Sequence, residues 1–600
     1  MNKINIKFNL NFIIFLLSIF ISYSWTNFYY DSTFNVDFSK YYDYINYFLG
    51  LDVKIDFGQG VLYYYLISLI LKTKIELINF ENLDIVISSS VHTINLILFI
   101  IGLLGIYQLL KLKKINNYTI FIAILGLNFF PQAIYMRAVM KPEILCFAML
   151  PWILFYLEKF LITNNFFNLL LGVPFLVIAL NTKASAAGMI LLYLLIPYYK
   201  IFKILNFKFL FIISLIVISI LSIVQFENFS ITQKSPFERP YDQEYDYRAS
   251  PYMIFRFSIS EILRNPYYDY DYQQNYYSVH AQSVINLIIM DTFGDYFNQL
   301  FDFRENYFSQ NRKSIFINDS DVFINSKREI NYTGPLNGIL IQHNYLRKLS
   351  SIFLSILFYF FTIFLIFKDK ENRKFYFAPF FGIFILYLNS IGIPSNNFNP
   401  FKGDTFKAFY FSFLLCITFV FLISNLLKKQ IKFKFFLITV FALIVIFISG
   451  HPKINSQFES ERLIIANEYS LFCRLNNFLI FENNLIKGIH NTGNIYDYKS
   501  DCISKSTSKN LIKKNRVDYD IVYKKQCVDD NNKLLFNKDN FNVSTKNDCR
   551  IYTIEQARNL NRDSNNKIPA FAIFLFLFSI FLIIIETKGY EKFNKFSKKI

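Results

Sequence analysis

The sequence predicts an all-α polytopic membrane protein, a bundle of about twelve transmembrane helices. Three observations predict it. Hydrophobic residues make up 54% of the 600 residues and aromatics 20%, whereas charged residues make up only 18%. Soluble domains average about 25% charged residues. The apolar residues also fall in long runs, and mean hydropathy is +0.30. Finally, Lys and Arg gather in short turns between those runs, where charge fixes orientation in a bilayer. A soluble enzyme, a disordered chain and a nucleic-acid-binding module are excluded for the chain as a whole. The net charge of +18, from 62 Lys and Arg against 44 Asp and Glu, is therefore topological rather than a sign of a nucleic-acid partner.

A helix needs about 20 apolar residues to cross a bilayer. Runs of that kind lie near 9–25, 91–110, 118–135, 142–158, 165–181, 184–199, 207–225, 349–367, 375–393, 406–427, 435–450 and 568–586. The first follows Lys3 and Lys7. No small-residue cleavage site comes after it, so it is expected to be a retained helix rather than a signal peptide.

The run from Val61 to Leu71 is too short to cross. It lies between Gly58 and Gly60 on one side and Lys72 and Lys74 on the other. With the N-terminus inside and this run not crossing, the inside segments hold 22 Lys and Arg. The short outside loops hold four: Arg137, Lys141, Lys183 and Lys402. If 61–71 crossed, every later loop would flip and the positive-inside bias would fail. The run, with its Tyr63-Tyr64-Tyr65 cluster, is expected to lie at the outer interface. Both termini are then cytoplasmic, and a bacterial inner membrane is the expected location.

This topology divides the chain into five parts. Residues 1–230 form a seven-helix module with a first outer loop at 26–90. A large outer loop follows at 226–348, then four further helices at 349–450. An outer segment at 451–567 precedes the last helix and basic tail at 568–600. Cys146 and Cys416 fall within spans, whereas Cys473, Cys502, Cys527 and Cys549 all fall in 451–567. An even number of Cys in one non-cytoplasmic segment points to two disulfides, in any of three pairings. A zinc site does not fit, because no C-x₂-C pair is present. A small α/β or irregular disulfide-bearing domain is expected there.

Chemistry-bearing residues collect at the outer ends of the spans. Asp37, in the first outer loop, can serve as a general base if held near a hydroxyl. Asp31, Asp43, Asp52 and Asp56 share that loop. Tyr41 and Tyr64 are candidate substrate contacts in the same loop. The turn Arg137-Ala138-Val139-Met140-Lys141-Pro142-Glu143 packs two cations and a carboxylate together. It is either a capped helix start or a site for an anionic group beside a hydrogen-bond acceptor or metal ligand. Lys183, in the tight turn Asn181-Thr182-Lys183, either snorkels to the surface or meets a phosphate. His343 and Lys407 are further candidates at the outer ends of spans eight and ten. His92 lies within a span and is expected to be a packed histidine. The Tyr- and acid-rich stretches 240–247 and 267–272 fit an interfacial aromatic belt better than a sugar site. The sequence contains no Walker A motif and no nucleophile elbow in a suitable context.

The order of these features resembles the integral-membrane GT-C glycosyltransferases, the class of protein O-mannosyltransferases and lipid A aminoarabinose transferases. The motifs that carry it are Val61-Leu62-Tyr63-Tyr64-Tyr65-Leu66, Arg137 through Glu143, and Thr182-Lys183-Ala184-Ser185-Ala186. The loop 226–348 also falls between spans seven and eight, as in that class. The resemblance covers about residues 1–230. Asp37 is followed by Phe38 rather than a second acid, and Val61 stands where the class has Pro. The resemblance implies a polyprenyl-phosphate sugar donor and a glycan, lipid or protein acceptor. It also implies Asp37 as base, Glu143 as an orienting or metal-holding acid, and Arg137, Lys141 and Lys183 on the leaving phosphate. Lys402 and Lys407 are weaker phosphate candidates. A divalent metal is compatible with this set.

Other readings are a transporter or flippase, a polymerase or ligase of envelope glycans, and an assembly or sensor protein that binds through 451–567.

Overall fold

Lipid offers no partner to backbone N–H and C=O groups, so apolar segments of this length satisfy them internally as helices. The computed structural model describes residues 16–24, 41, 44–45, 47–49, 55, 59–74, 83–199, 201, 204, 207–232, 284–293, 335–391, 408–427, 544–546, 549–551 and 569–597. Outside the described residues lie Asp37 and the other first-loop acids, Lys402, Lys407, Cys473, Cys502 and Cys527. So do the stretches 240–247 and 267–272 and the apolar run 435–450.

Residues 16–24 are helical. Thereafter come α1 (Leu62–Lys74), α2 (Leu83–Leu112), α3 (Asn117–Asn128), α4 (Pro131–Ala138), α5 (Glu143–Thr163), α6 (Phe166–Leu180) and α7 (Ala184–Leu195). The chain continues through α8 (Phe207–Thr232), α9 (Val284–Thr292), α10 (Pro335–Lys368) and α11 (Arg373–Ile391). A 3₁₀ turn (Ala408–Phe411) leads into α12 (Ser412–Leu426), and α13 (Ala570–Ser597) comes last. Between α12 and α13, strands β1 (Ser544–Lys546) and β2 (Cys549–Ile551) pair antiparallel, with Lys546 opposite Cys549.

Among the described residues, five helical segments are long and apolar enough to cross a membrane: Ser89–Leu112, Glu143–Thr163, Phe209–Thr232, Leu349–Lys368 and Ala408–Leu426. A sixth arises if α3 and α4 form one bent span, and α6, α7 and the Ala570–Glu586 part of α13 are apolar but shorter. The outer surface agrees. Phe353, Phe360 and Phe367, at seven-residue spacing on α10, and Phe211, Leu215 and Phe226 on α8 are all exposed. Such stripes would be costly in water and are at home in lipid. The chain is an α-helical membrane protein.

The expected span at 118–135 is not one straight helix. It breaks between Asn128 and Pro131 and bends by 62°. Pro131, at the start of α4, has no N–H to continue the α3 ladder. The break frees the Asn128 carbonyl, and Arg137 Nη2 donates to it at 2.8 Å. A cation at a helix C-terminus is favoured by the dipole as well as by the hydrogen bond.

The core is built on α2 and α5, which run side by side in the same direction. Phe99 stacks on Phe147 at 5.1 Å, and Trp152 Nε1 donates to the Ile101 carbonyl at 3.0 Å. The helices approach closely because α2 presents glycine. A Cβ at Gly105 would meet Pro151 Cβ at 2.8 Å and Trp152 at 2.9 Å. Small residues of this kind let membrane helices approach each other.

The short run at 61–71 is helical, as α1, and its residues Leu62–Ser68 and Leu71 are buried. His92 is packed as expected, with Nε2 at 3.0 Å from the Ala138 carbonyl. Cys146 and Cys416 are free and buried.

Charges cluster at the two ends of the bundle. At one end Lys113 pairs with Glu158 at 2.6 Å, Lys374 pairs with the other oxygen of Glu158, and Lys159 pairs with Glu586 at 2.7 Å. The opposite end holds the Lys183–Glu143 pair at 2.9 Å. Each of these pairs joins turns that the charge count assigns to one side.

Removing Glu158 would leave two half-buried ammoniums without their shared partner. Breaking a buried pair in this way costs about 3–5 kcal/mol. Glu158→Ala should therefore lower the thermal midpoint of the detergent-solubilised protein by many degrees. The triple variant Glu158→Leu/Lys113→Met/Lys374→Met should recover most of the loss, measured by loss of the monodisperse peak on heating.

Candidate functional site

The site is assembled from three turns that only folding brings together. The first is the junction between the start of α1 and the end of α6. Gly60 N donates to the Thr182 carbonyl at 3.2 Å. A Cβ at Gly60 would lie 1.8 Å from the Asn181 carbonyl oxygen, so only glycine fits. The last turn of α6 closes on its own side chains. Asn181 Nδ2 donates to the Val177 carbonyl at 2.8 Å, and Thr182 Oγ1 to the Ile178 carbonyl at 3.0 Å. These bonds add side-chain donors to the last carbonyls of the helix. Lys183 follows in extended geometry, just before α7.

The second turn, 139–142, is held by α1 and α2. Tyr63 Oη donates to Asn95 Oδ1 at 2.8 Å. Asn95 Nδ2 in turn donates to the carbonyls of Arg137 at 3.0 Å and Val139 at 2.9 Å. Burial pushes the Tyr63 hydroxyl well above its ordinary range, so it remains a donor. Beside it Tyr64 Oη donates to Gln59 Oε1 at 2.7 Å, and Gln59 N donates to Tyr44 Oη at 2.8 Å. Tyr44 stacks on Tyr64 at 4.5 Å, and Tyr41 lies 5.5 Å from Tyr64.

The third turn is the 3₁₀ turn before α12, and it supplies Tyr410. Lys183 Nζ lies 4.3 Å from the Tyr410 ring centroid, and Lys141 Nζ lies 5.3 Å from the same ring. Lys141 also faces Tyr41 at 5.5 Å. Two ammoniums thus lie against one aromatic ring, and the ring quadrupole attracts each of them. Glu143, in the first turn of α5, accepts from Lys183 through Oε1. Its Oε2 is buried and has no hydrogen-bond partner among the described residues. Lys141 and Glu143 are each only 1% exposed.

Five of the residues singled out from sequence therefore meet here: Tyr41, Tyr64, Lys141, Glu143 and Lys183. Arg137 does not join them. Its guanidinium is buried in the bundle, over the Phe99 ring at 4.6 Å. Nη1 donates to Asn128 Oδ1 at 3.2 Å and to Ser22 Oγ at 3.3 Å. Four residues separate Arg137 from Lys141, but α4 ends between them, and the two side chains serve different ends. His343 falls within α10 and Cys549 opens β2.

Tyr410, Asn95 and Gln59 were not singled out from sequence. Tyr410 follows Lys407 by three residues, where an aromatic at a span end has the look of a membrane belt. Asn95 is a lone amide in an apolar run, and that is itself a signal, since a buried amide requires partners.

The cluster can hold an anionic group against two cations, and the second oxygen of Glu143 can accept from a hydroxyl. Among the described residues, no group of three or more His, Cys, Asp and Glu converges on a metal-sized site. No protein-family model matches the chain, and no curated protein matches it.

Two outcomes follow from this geometry. Lys183→Ala leaves the buried Glu143 carboxylate without its cation and should cost about 3–5 kcal/mol. Lys183→Met combined with Glu143→Gln should be markedly milder, read by thermal unfolding in detergent. Gly60→Ala should also destabilise, by about 1–3 kcal/mol through overpacking against the Asn181 carbonyl. Parallel heating curves of wild type and variant would check it.

Proposed function

We propose that the protein is a membrane glycosyltransferase that moves a sugar from a polyprenyl-phosphate donor to an acceptor hydroxyl on the outer face. The observation that carries this reading is the convergence of Lys141 and Lys183 on Tyr410, beside Glu143, at one end of an apolar bundle. A leaving lipid phosphate gains negative charge as its bond to the sugar breaks. Fixed cations in a buried site stabilise that charge without reorganising. Glu143 neutralises one of the two lysines, so the cluster keeps a net positive charge for the phosphate.

In this reading the acceptor oxygen attacks the anomeric carbon. The new carbon–oxygen bond forms as the bond to phosphate breaks, and polyprenyl phosphate leaves with the electron pair. The acceptor proton passes to a carboxylate, and Asp37 is the proposed base. Asp37 precedes Tyr41 by four residues, and four extended residues span at most about 14 Å. Tyr41 faces Lys141, and the nearness of Asp37 to Tyr41 in sequence supports Asp37 as the base. A small cavity between α1, α6, α8 and α13, lined by Val61, Val177, Asn181, Thr182, Asn228 and Leu575, lies beside the Asn181–Thr182 junction.

A second reading, a transporter or flippase, draws on the broken α3–α4 pair. Broken helices beside buried charges are a mark of transporters, and Arg137 sits at the break. The same experiment separates the two. Purified protein in lipid is offered a panel of polyprenyl-phosphate sugars, and release of polyprenyl phosphate is followed. Wild type should release it. Asp37→Asn should slow release by about 100-fold or more, the scale of general-base catalysis. Lys141→Ala should slow it about 10- to 100-fold through lost electrostatic stabilisation. Absence of release with every donor would overturn the transferase reading in favour of transport.

A further inference from the structure

Helix α9 belongs to the large loop between the seventh and eighth expected spans, yet it reaches the lysine cluster through one hydrogen bond. Asp291 lies in its last turn and is fully buried. The Asp291 carboxylate, through Oδ2, accepts from the backbone N–H of Ala408. Ala408 opens the 3₁₀ turn that carries Tyr410. The first N–H groups of such a turn have no partner within it, and a carboxylate is a strong acceptor for one of them.

The acid is itself held firmly. Gln132 Nε2, from α4, donates to the Asp291 carbonyl at 2.6 Å and to the Thr292 carbonyl at 3.2 Å. Thr292 Oγ1 and Tyr359 Oη lie 3.0 Å apart in a hydrogen bond. Phe293 N donates to Ser355 Oγ at 3.1 Å, and the Phe293 ring packs on Phe130 at 5.1 Å. Contacts from Phe130, α4 and α10 therefore hold the end of α9 that carries the carboxylate.

We propose that Asp291 is a positioning residue for the lysine site: it sets where the Tyr410 ring lies and, through that ring, where Lys141 and Lys183 hold their ammoniums. The Tyr410 ring contacts both cations, and cation–π attraction depends on their distance from it. Small displacements of a positioning group lower turnover steeply. The effect on turnover rests on the transferase reading, whereas the effect on Tyr410 stands on the geometry alone.

The test uses the full-length protein in lipid nanodiscs with 3-fluorotyrosine placed at 410. Asp291→Ala removes the acceptor, and Ala408→Pro removes the donor N–H from the other side while suiting the turn's φ. Asp291→Asn keeps an acceptor oxygen. Both bond-removing variants should shift the fluorine resonance of residue 410, and Asp291→Asn should restore it. The Asp291→Ala enzyme should lose about tenfold in kcat/KM for polyprenyl-phosphate release, with at least half recovered in Asp291→Asn. An unmoved resonance in a folded Asp291→Ala or Ala408→Pro protein would overturn the proposal, as would a shifted resonance with unchanged kcat/KM. If wild type releases no polyprenyl phosphate from any donor, the transferase reading falls, and the fluorine resonance still decides whether Asp291 positions Tyr410.

Discussion

A charge cannot enter an apolar bundle without a partner, and the arrangement of this protein follows from that constraint. Glu158 is buried because Lys113 and Lys374 come to it from two turns. Glu143 is buried because Lys183 comes to it from a third. Arg137 is buried because a helix breaks beside it and gives up the Asn128 carbonyl. In each case the partner comes from a different turn or helix. The polar contacts therefore fix which turns meet, and the apolar packing of α2 on α5 fills the space between them.

The same constraint explains why the site lies at one end. Lys141 and Lys183 occupy short turns, where an ammonium can lie against aromatic faces without crossing the core. Tyr41 and Tyr410 supply those faces. The result is a compact cationic patch bounded by tyrosines, with one carboxylate to orient it. A patch of this kind distinguishes an anionic headgroup from a neutral one by charge.

Much of this was legible in the sequence. Hydropathy located most of the described helices, because a bilayer demands runs that satisfy their own backbone. Lys141, Glu143 and Lys183 were legible because charges in the short outer turns are few beside those on the inner side, and are therefore informative. The bend at Asn128–Pro131 was not read, since a window across 118–135 averages over the break. The clue was Pro131 close to Asn128, with a cation following. Arg137 and Lys141 are neighbours in sequence, which suggests a shared role. Their separation depends on α4 ending at Ala138, and no composition reveals that. Tyr410 and Asp291 depend on contacts across more than a hundred residues, which a single sequence does not encode in any local pattern.

The buried charges also differ in how long a growing chain must wait to satisfy them. Domains and segments nearer the N-terminus emerge first during synthesis. Arg137 finds Ser22, Phe99 and Asn128 already made. Glu143 must wait for Lys183, and Glu158 meets Lys113 behind it but Lys374 only much later. Tyr410 completes the lysine cluster last. A ribosome therefore delivers a bundle that can hold its bend early, while the shared ring beneath Lys141 and Lys183 arrives only after roughly two thirds of the polypeptide has been made. Chains stopped before that point would insert helices yet lack the patch, which ties its assembly to translation past Tyr410.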